Sequence, residues 1–497
     1  MLLRNSLWHA AGAAVPAVVA LATIPMLVGA LGIAGYGWLT LVTSIVGYFG
    51  ALDINLTSGA IKYLSEAHAT GNKRRISQVF WFSAGFYGSL GLIVCIAIGL
   101  FAGPLADLFG HVSAIERPGI VMAMRVGAVG FAIVQIQSVL MSVLQALQRY
   151  DLSARSEMIF GVVANLASVL VALAGMGLTA VILARVLVSA LNCIFLVWQL
   201  RMLGVPLAFV APDREVRQAL MSFSAYAYLS KLSSTLNQHG DKLIIGAIGG
   251  PVAVTLYTVP LTLAGRVLGM TSRLAGVMFP HVSTLAATGR LDEMRPTYLS
   301  AIRHITYLNF VVCAAMVLAG DMFLKRWVGS EFMAEGYPVL VLMSFAILVD
   351  SLTNIPSLVN DALGHPRVTG AFALVRGISG LAFVYFGMKT FGIVGAASAH
   401  LITAMLLGAA FLIYVHGRTV PVSLSEALCD GGKPLVLGFA VLAILLIAKG
   451  LVPTGLLATS AVTLIGLAAL TTLGFIYVLR ASDRANLLAT LRRKIGK

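Results

Sequence analysis

Long apolar runs, separated by short polar stretches, are the dominant pattern along this chain. A run of about 20 apolar residues, folded as a helix, is long enough to cross a hydrocarbon core of about 30 Å. Helices also satisfy their backbone hydrogen bonds internally, as a lipid environment requires. The runs predict an all-α integral membrane protein with fourteen transmembrane helices, near residues 6–31, 37–64, 78–101, 117–147, 156–175, 178–200, 220–249, 252–284, 298–320, 337–361, 367–388, 391–415, 433–450 and 455–480.

Composition supports this fold class. The chain is 59% hydrophobic and 11% charged, whereas soluble domains are about 25% charged. The first apolar run continues to Gly32 without a polar cleavage region, so we interpret it as a membrane span and not as a signal peptide. The four cysteines have no spacing typical of a metal site or a disulfide framework. We expect no bound metal and no cofactor.

The distribution of basic residues predicts which side of the membrane each loop faces. Of the 34 lysines and arginines, 21 fall in loops on the side of the two termini and five fall in loops on the opposite side. Cytoplasmic loops are enriched in Lys and Arg, so both termini are expected in the cytoplasm. The same enrichment accounts for the net charge of +15 without a nucleic-acid partner.

A weak internal repeat relates the first and seventh spans. Gly29–Gly32 is similar to Gly246–Gly249, an offset of 217 residues, and Gly71–Lys73 is similar to Thr288–Arg290 at nearly the same offset. The repeat predicts two six-helix lobes with two additional C-terminal helices. The expected segments are a first lobe (1–200), a cytoplasmic linker (201–219), a second lobe (220–415), a second cytoplasmic linker (416–432), two extra helices (433–480) and a basic cytoplasmic tail (481–497).

Basic residues inside the predicted spans are the leading candidates for binding. A charge at the bilayer centre costs about 2.5–3.5 kcal/mol on insertion scales, so such residues normally face a bundle interior or a wet cavity. Arg266 and Arg273 are seven residues apart and share a helix face, as do Lys231, Gln238 and Lys242. Several cations in one helix pair predict a cavity for an anionic group, since arginine can bind two phosphate oxygens at once. The candidate set is Arg266, Arg273, Lys231, Lys242, Lys62 and Arg125.

Some of these side chains also have a purely structural interpretation. Lys62 lies close enough to a helix end for its side chain to reach the interface. Carboxylates within the spans are candidates for proton or cation coupling, namely Asp53, Asp241 and Asp350. Buried pairing with a basic residue is the alternative for Asp53 and Asp350. Glutamines predicted to line the cavity, with interhelical hydrogen bonding as their alternative, are Gln137, Gln145 and Gln238.

Enzymatic chemistry has little support in the sequence. No GxxxxGK[ST], HExxH or GxSxG motif occurs, and no outward loop carries paired carboxylates or is long enough for a folded domain. We therefore expect a transporter and not an enzyme. A membrane polymerase or ligase is the alternative, and it would be expected to use a large outward loop.

Short motifs across nearly the whole chain carry a family resemblance. They are Gly35–Gly37, Asp53–Leu56, Ala60–Tyr63, Gln145–Arg149, Asp241–Gly246, Leu256–Tyr257 and Pro280–Ser283. In these motifs the chain resembles the Wzx-type flippases of the multidrug/oligosaccharidyl-lipid/polysaccharide (MOP) exporter superfamily. Asn55 departs from the pattern, since that family usually has a glycine there.

The resemblance implies a V-shaped transporter with two lobes around a cationic cavity, lined mainly by the first, second, seventh and eighth helices. It implies that undecaprenyl-pyrophosphate-linked oligosaccharides move from the cytoplasmic to the periplasmic leaflet of a bacterial inner membrane by alternating access. The implied partners are this glycan lipid, membrane lipids, and the polymerase and chain-length regulator of the same pathway, with the chain itself monomeric. A lipid II flippase and a cation-coupled multidrug exporter are the alternatives. The basic excess in the spans argues against a cationic drug, and whether the glycan is O-antigen, capsule or exopolysaccharide stays open.

Overall fold

A computed structural model of the chain describes residues 2–109, 112–206, 208–276, 278–451 and 456–479. The regular structure in these ranges is helical, as expected for an all-α membrane protein. The helices are α1 Leu2–Tyr48, α2 Leu56–Ala69, α3 Lys73–Leu108, α4 Arg117–Ala146, α5 Tyr150–Leu173, α6 Gly177–Met202, α7 Arg214–Thr235, α8 Asp241–Ala275, α9 Met278–Ala287, α10 Met294–Trp327, α11 Tyr337–Ala362, α12 Pro366–Arg418, α13 Leu424–Leu451 and α14 Leu456–Tyr477. The predicted basic tail, 481–497, lies outside the described residues.

Ten helices in the described ranges are long and apolar enough to cross a membrane, and α13 makes eleven if its two bent parts form one span. Three long helices contain a break in their backbone torsions, at Gly32 in α1, Gly250 in α8 and Gly392 in α12. Their φ values of 74°, 73° and 60° are left-handed, a region that glycine enters without a steric penalty. Each broken helix covers parts of two predicted spans.

Contacts divide the chain into two compact units, Met1–Thr258 and Val259–Lys497. In the first unit α1 packs mainly on α5, α4 packs on α3 and α6, and α2 packs on α3, α4 and α7. Buried side chains of α2, α3 and α4, such as Leu64, Val79 and Leu144, form an apolar core in this unit.

The segment before α7 is tied to α3 and then capped. Gln78 Nε2 on α3 donates to the Ala211 carbonyl at 3.1 Å. Asp213 Oδ1 accepts the backbone N–H of Val216 at 2.9 Å, as an N-cap residue does. This hydrogen bond holds the pKa of the Asp213 carboxyl below its usual range. These contacts fix the start of α7 at Arg214.

In the second unit α11 packs on α10 and α12, while α13 and α14 pack on α10. The α13 helix begins at Leu424, before the span predicted near 433. Glu426 and Asp430 make its first turns look too polar for a membrane helix. Both are neutralised by α10, because Arg303 Nη1 donates to Asp430 Oδ1 at 3.0 Å and Arg295 pairs with Glu426.

Candidate functional site

The candidate site lies in the first unit, where α1 is followed by α2. A 3₁₀ turn over Phe49–Leu52 follows α1, and Asp53 is extended. Asn55 then adopts a left-handed conformation, with φ 58° and ψ 41°, before α2 begins. Asparagine tolerates this region better than most residues, so it can replace the glycine of the family pattern. The turn lets Asp53 Oδ1 accept the backbone N–H of Asn55 at 2.8 Å.

Asp53, Tyr87 and Lys231 form a group that we call the Asp53 cluster. The Tyr87 hydroxyl donates to Asp53 Oδ1 at 2.8 Å, and Lys231 Nζ lies 3.7 Å from Asp53 Oδ2. The Asp53 side chain is 8% exposed, whereas that of Lys231 is 41% exposed. The carboxylate is therefore held firmly by its donors, while the ammonium group is held loosely and keeps an accessible surface.

Asp241, Lys242 and Tyr257 form a second group, the Asp241 cluster. Tyr257 donates its hydroxyl to Asp241 Oδ2 at 3.0 Å. Lys242 Nζ donates to Asp241 Oδ1 at 2.9 Å and to the Gln238 carbonyl at 2.6 Å. The side chains of Lys242 and Asp241 are 13% and 2% exposed. Lys242 is thus less exposed than Lys231, and its ammonium group is engaged in two short hydrogen bonds, one of them to a buried carboxylate.

A π-helical turn over Leu236–Gly240 separates the two lysines. A π turn holds one residue more than an α turn, which rotates the following helix face by about 100° relative to regular α spacing. The expectation that Lys231, Gln238 and Lys242 share one face is therefore wrong. The turn also brings His239 against α1, where a Cβ on Gly47 would lie 2.6 Å from the imidazole Cε1.

The other candidates in the first unit make different contacts. Lys62 is exposed on α2, and its Nζ lies 5.1 Å from the centre of the Tyr63 ring. Arg125 is exposed on α4, and its Nη2 lies 3.4 Å from the Gly99 carbonyl. Gln137 and Gln145, which were predicted to line the cavity, are half-buried. Gln238, predicted for the same role, is exposed.

The second unit contains the remaining candidates. Asp350 of α11 pairs with Arg376 of α12, with Arg376 Nη2 2.5 Å from Asp350 Oδ2. This contact is the pairing with a basic residue offered as the alternative to a coupling role, although both side chains are half-buried and not buried. Arg266 is exposed on α8, and Arg273 lies on the same helix with its side chain outside the described residues.

Sequence reasoning missed the two tyrosines as site residues. A buried tyrosine hydroxyl usually needs a hydrogen-bond partner, and Tyr87 and Tyr257 are both fully buried. A tyrosine inside an apolar run therefore indicates that its hydroxyl has a hydrogen-bond partner, and the few carboxylates in the spans are the candidates. The sequence does not identify which carboxylate is the partner.

Helices of this length and hydropathy, with ion pairs embedded between them, define a multi-pass membrane protein. The chain matches the family described as "Polysaccharide biosynthesis protein" over residues 26–335 and belongs to that family. It is 22% identical to a putative O-antigen transporter of Shigella flexneri over 430 residues, which cover 84% of this chain and 98% of the relative. It is also 22% identical to the probable flippase AglR of Haloferax volcanii, over 83% of this chain and 84% of the relative.

Solved structures share the fold. An inward-facing multidrug resistance transporter of the MATE family and MOP superfamily aligns with a TM-score of 0.69 at 16% identity, covering 83% of this chain and 98% of that chain. The lipid II flippase MurJ, in an inward closed conformation, aligns with a TM-score of 0.65 at 10% identity, covering 93% and 100%. The expected place in the MOP superfamily is confirmed by these matches together. The matching proteins are transporters and flippases, which also confirms that the chain is not an enzyme.

Proposed function

We propose that the chain is a flippase for undecaprenyl-pyrophosphate-linked oligosaccharide repeat units. It would move them from the cytoplasmic to the periplasmic leaflet of a bacterial inner membrane by alternating access through a cationic central cavity. The family match and the two named relatives support a polysaccharide-related cargo. The polymerase and chain-length regulator of the same pathway are the proposed partners of a monomeric chain.

The proposed topology has fourteen spans with both termini in the cytoplasm. Splitting α1, α8 and α12 at their glycine breaks, and counting α13 as one span, supports that number. Two pairs of glycines with left-handed φ values have the same separation in sequence: Gly32 with Gly250, and Gly71 with Gly289. This separation is one residue longer than the offset of 217 residues between Gly29–Gly32 and Gly246–Gly249. It supports the proposed lobes over 1–200 and 220–415, followed by the extra helices over 433–480.

Lys231 is the proposed principal contact for the pyrophosphate. Its long 3.7 Å contact with Asp53 and its 41% exposure leave ammonium donors for an incoming anion. This is the observation that carries the site assignment. Lys242 has a structural role in the proposal, because its ammonium is already engaged. Arg266, Arg273, Lys62 and Arg125 remain proposed secondary contacts.

The Asp53 cluster also offers a coupling step. An anion that draws Lys231 away leaves Asp53 with the donors from Tyr87 and Asn55 but without its cation. In the proposal a proton or a metal cation then takes the place of the lysine ammonium beside Asp53. We propose Asp53 as the coupling residue, with Asp241 and Asp350 as secondary candidates.

A charge swap tests this assignment. The full chain should restore surface polysaccharide in a flippase-deficient strain, and Lys231→Gln should not, at equal protein level in the membrane. The double variant Asp53→Lys/Lys231→Asp keeps an ion pair but moves its cation to a buried position. It should remain inactive if Lys231 binds the cargo. Lys389→Gln, at a lysine that lies over the Tyr385 ring, is the matched control and should behave as wild type.

Restored export in the swapped variant would contradict the Lys231 assignment, because export would then not need a cation at position 231. Functional assays in cells also distinguish the two alternative cargoes, lipid II and a drug. Rescue of a strain depleted of its lipid II flippase would favour that lipid, the cargo named for the MurJ structure. Cation-dependent drug efflux would favour an exporter of the MATE type.

A further inference from the structure

The arginines of the described ranges differ in how their charge is balanced. Five of them have side chains that are not exposed: Arg75, Arg149, Arg185, Arg303 and Arg376. Four of these form an ion pair with a carboxylate at 3.0 Å or less. Arg185, on α6, is the exception. Its Nε donates to Ser168 Oγ on α5 at 2.8 Å, and no carboxylate pairs with it in the part of the chain that the structure describes.

Arg185 points into the protein and not into lipid. Val188 and Asn192 lie three and seven residues further along α6, on the same helix face, and both are buried. Leu187, on the opposite face, is 55% exposed. Ser168, which accepts the hydrogen bond from Arg185, is fully buried. The charge therefore lies inside the helix bundle, where a charged side chain normally has a partner or faces water.

The groups around the Arg185 guanidinium offer hydrogen-bond donors. Its two Nη nitrogens have no acceptor among the described residues. Ser168 Oγ accepts the Arg185 Nε–H and gives its own hydrogen to the Ala164 carbonyl at 2.6 Å. Tyr36 of α1 is close enough to Arg185 for a Coulomb interaction, and its hydroxyl makes no hydrogen bond within the described ranges. Free N–H and O–H groups around a cation suit an anion.

Close packing beside Arg185 limits the size of this anion. The next residue on α6, Val186, packs so closely on α4 that a Cβ on Gly130 would lie 2.7 Å from Val186 Cγ2. The helices α1, α5 and α6 also pack on one another. Arg185 carries one positive charge, so one negative charge balances it. These features select a small monovalent anion, such as chloride, over a pyrophosphate or a sugar acid.

We propose that Arg185 and Tyr36 bind a small monovalent anion, with chloride as its common form, between α1, α5 and α6. The anion balances a charge that is costly to leave unpaired inside the bundle. It also ties Tyr36, which follows the break in α1 at Gly32, to the two helices that carry Arg185 and Ser168. The site uses no residue of the Asp53 or Asp241 cluster, so it is independent of the proposed cargo.

Thermal unfolding of the full chain in detergent tests this site. Potassium chloride is titrated against potassium gluconate at constant ionic strength, since gluconate is too large for the site. Chloride should raise the unfolding midpoint of the wild type in a saturable way, because a ligand stabilises the state that binds it. Arg185→Gln should abolish this chloride effect. Tyr36→Phe should weaken the apparent chloride affinity about tenfold, and it keeps the test open if Arg185→Gln does not fold.

Arg201→Gln is the matched control, because Arg201 lies on the same helix and is exposed. Its chloride effect should equal that of the wild type. Lys231→Gln should also keep the chloride effect, whether or not it abolishes export, since Lys231 belongs to the proposed cargo site. This variant separates a failure of the anion site from a failure of the proposed function.

Equal midpoints of the wild type in chloride and gluconate would overturn the proposal, and so would an equal chloride effect in Arg185→Gln. Loss of the effect in Lys231→Gln would overturn it in favour of an anion at the cargo site. Equilibrium dialysis with radiolabelled chloride is the second measurement, and a short-chain prenyl pyrophosphate should not displace the bound label. Displacement would show that the cargo and the anion share one site, against the proposal.

Discussion

The Asp53 and Asp241 clusters contain the same three groups, a carboxylate, a tyrosine hydroxyl and a lysine ammonium, but hold the lysine differently. Lys242 is 13% exposed and bonded at 2.9 Å to a carboxylate that is adjacent in sequence. Lys231 is 41% exposed and lies 3.7 Å from a carboxylate on a distant segment. The same chemistry thus gives a closed structural pair in one place and an open, loosely held pair in the other.

The backbone accounts for this difference. The π turn over Leu236–Gly240 aims the Gln238 carbonyl at Lys242 and closes the Asp241 cluster. The left-handed turn at Asn55 instead directs a backbone N–H at Asp53, so the carboxylate does not depend on Lys231 alone. A buried ion pair is weak evidence for stability, but the loss of one partner from such a pair is costly. The two clusters should therefore respond differently to the same substitution.

The largest difference is expected for Asp241→Asn compared with Asp53→Asn. Asp241→Asn removes a buried carboxylate to which Lys242 and Tyr257 both donate, and should destabilise the protein by about 3–5 kcal/mol. Asp53→Asn frees a half-exposed lysine and keeps an acceptor oxygen for Tyr87 and Asn55, so it should cost less, about 1.5 kcal/mol. Thermal unfolding of both purified variants in detergent measures the difference. Adding Lys242→Met to Asp241→Asn should recover much of the loss, and equal stabilities of the two single variants would remove the distinction between the clusters.

Anion binding should separate the two lysines in the opposite direction. A short-chain prenyl pyrophosphate should raise the unfolding midpoint of the wild type, since a ligand stabilises the state that binds it. Lys231→Gln removes a charged hydrogen-bond donor worth about 1.5–3 kcal/mol, so affinity should fall roughly ten- to a hundredfold. Its stability without ligand should stay near wild type. An undiminished ligand shift in Lys231→Gln would contradict the idea that the open pair is the binding pair.

The tyrosines offer a smaller test of the same contrast. Tyr257→Phe removes a hydroxyl donor from a carboxylate that is 2% exposed and should cost about 1.5–3 kcal/mol, as for hydrogen bonds to charged groups. Tyr87→Phe should cost less, at the lower end of that range, because Asp53 Oδ1 keeps the N–H of Asn55. Unfolding midpoints of the two variants check the order, and a larger loss for Tyr87→Phe would reverse it.

Much of the fold could be predicted because its signal is local. Apolar runs mark the spans, and three predicted boundaries between runs lie at or within two residues of the breaks at Gly32, Gly250 and Gly392. The start of α13 could not be predicted in this way. Asp430 reads as a loop residue until Arg303, on a helix distant in sequence, is known to neutralise it. A hydropathy scale counts each charged residue separately, so it cannot show that an ion pair allows the helix to include Asp430.

The candidate site was predictable in its residue types and not in its geometry. Asp53, Lys231, Asp241 and Lys242 stood out as charges in apolar spans, and all four lie in the two clusters. Regular helical spacing placed the lysines on one face, and the π turn separated them. A single inserted residue leaves no mark in the pattern of apolar positions, so this difference between Lys231 and Lys242 could only come from the structure.

The smallest effect is expected at Asn55, where the chain departs from the family pattern. Asn55→Gly should change stability by only about 0.5 kcal/mol, because glycine enters the left-handed region freely while it gains freedom in the unfolded chain. Asn55→Ala should cost roughly 1–2 kcal/mol, since a Cβ disfavours this conformation. Gln148, another non-glycine residue at positive φ (56°), is the matched control, and Gln148→Gly and Gln148→Ala should follow the same order.

If both pairs change stability alike but only Asn55→Ala weakens pyrophosphate binding, the turn acts by placing Asp53 opposite Lys231. If Asn55→Ala leaves binding intact, the open pair does not depend on this turn, and the backbone explanation of the difference between the clusters fails.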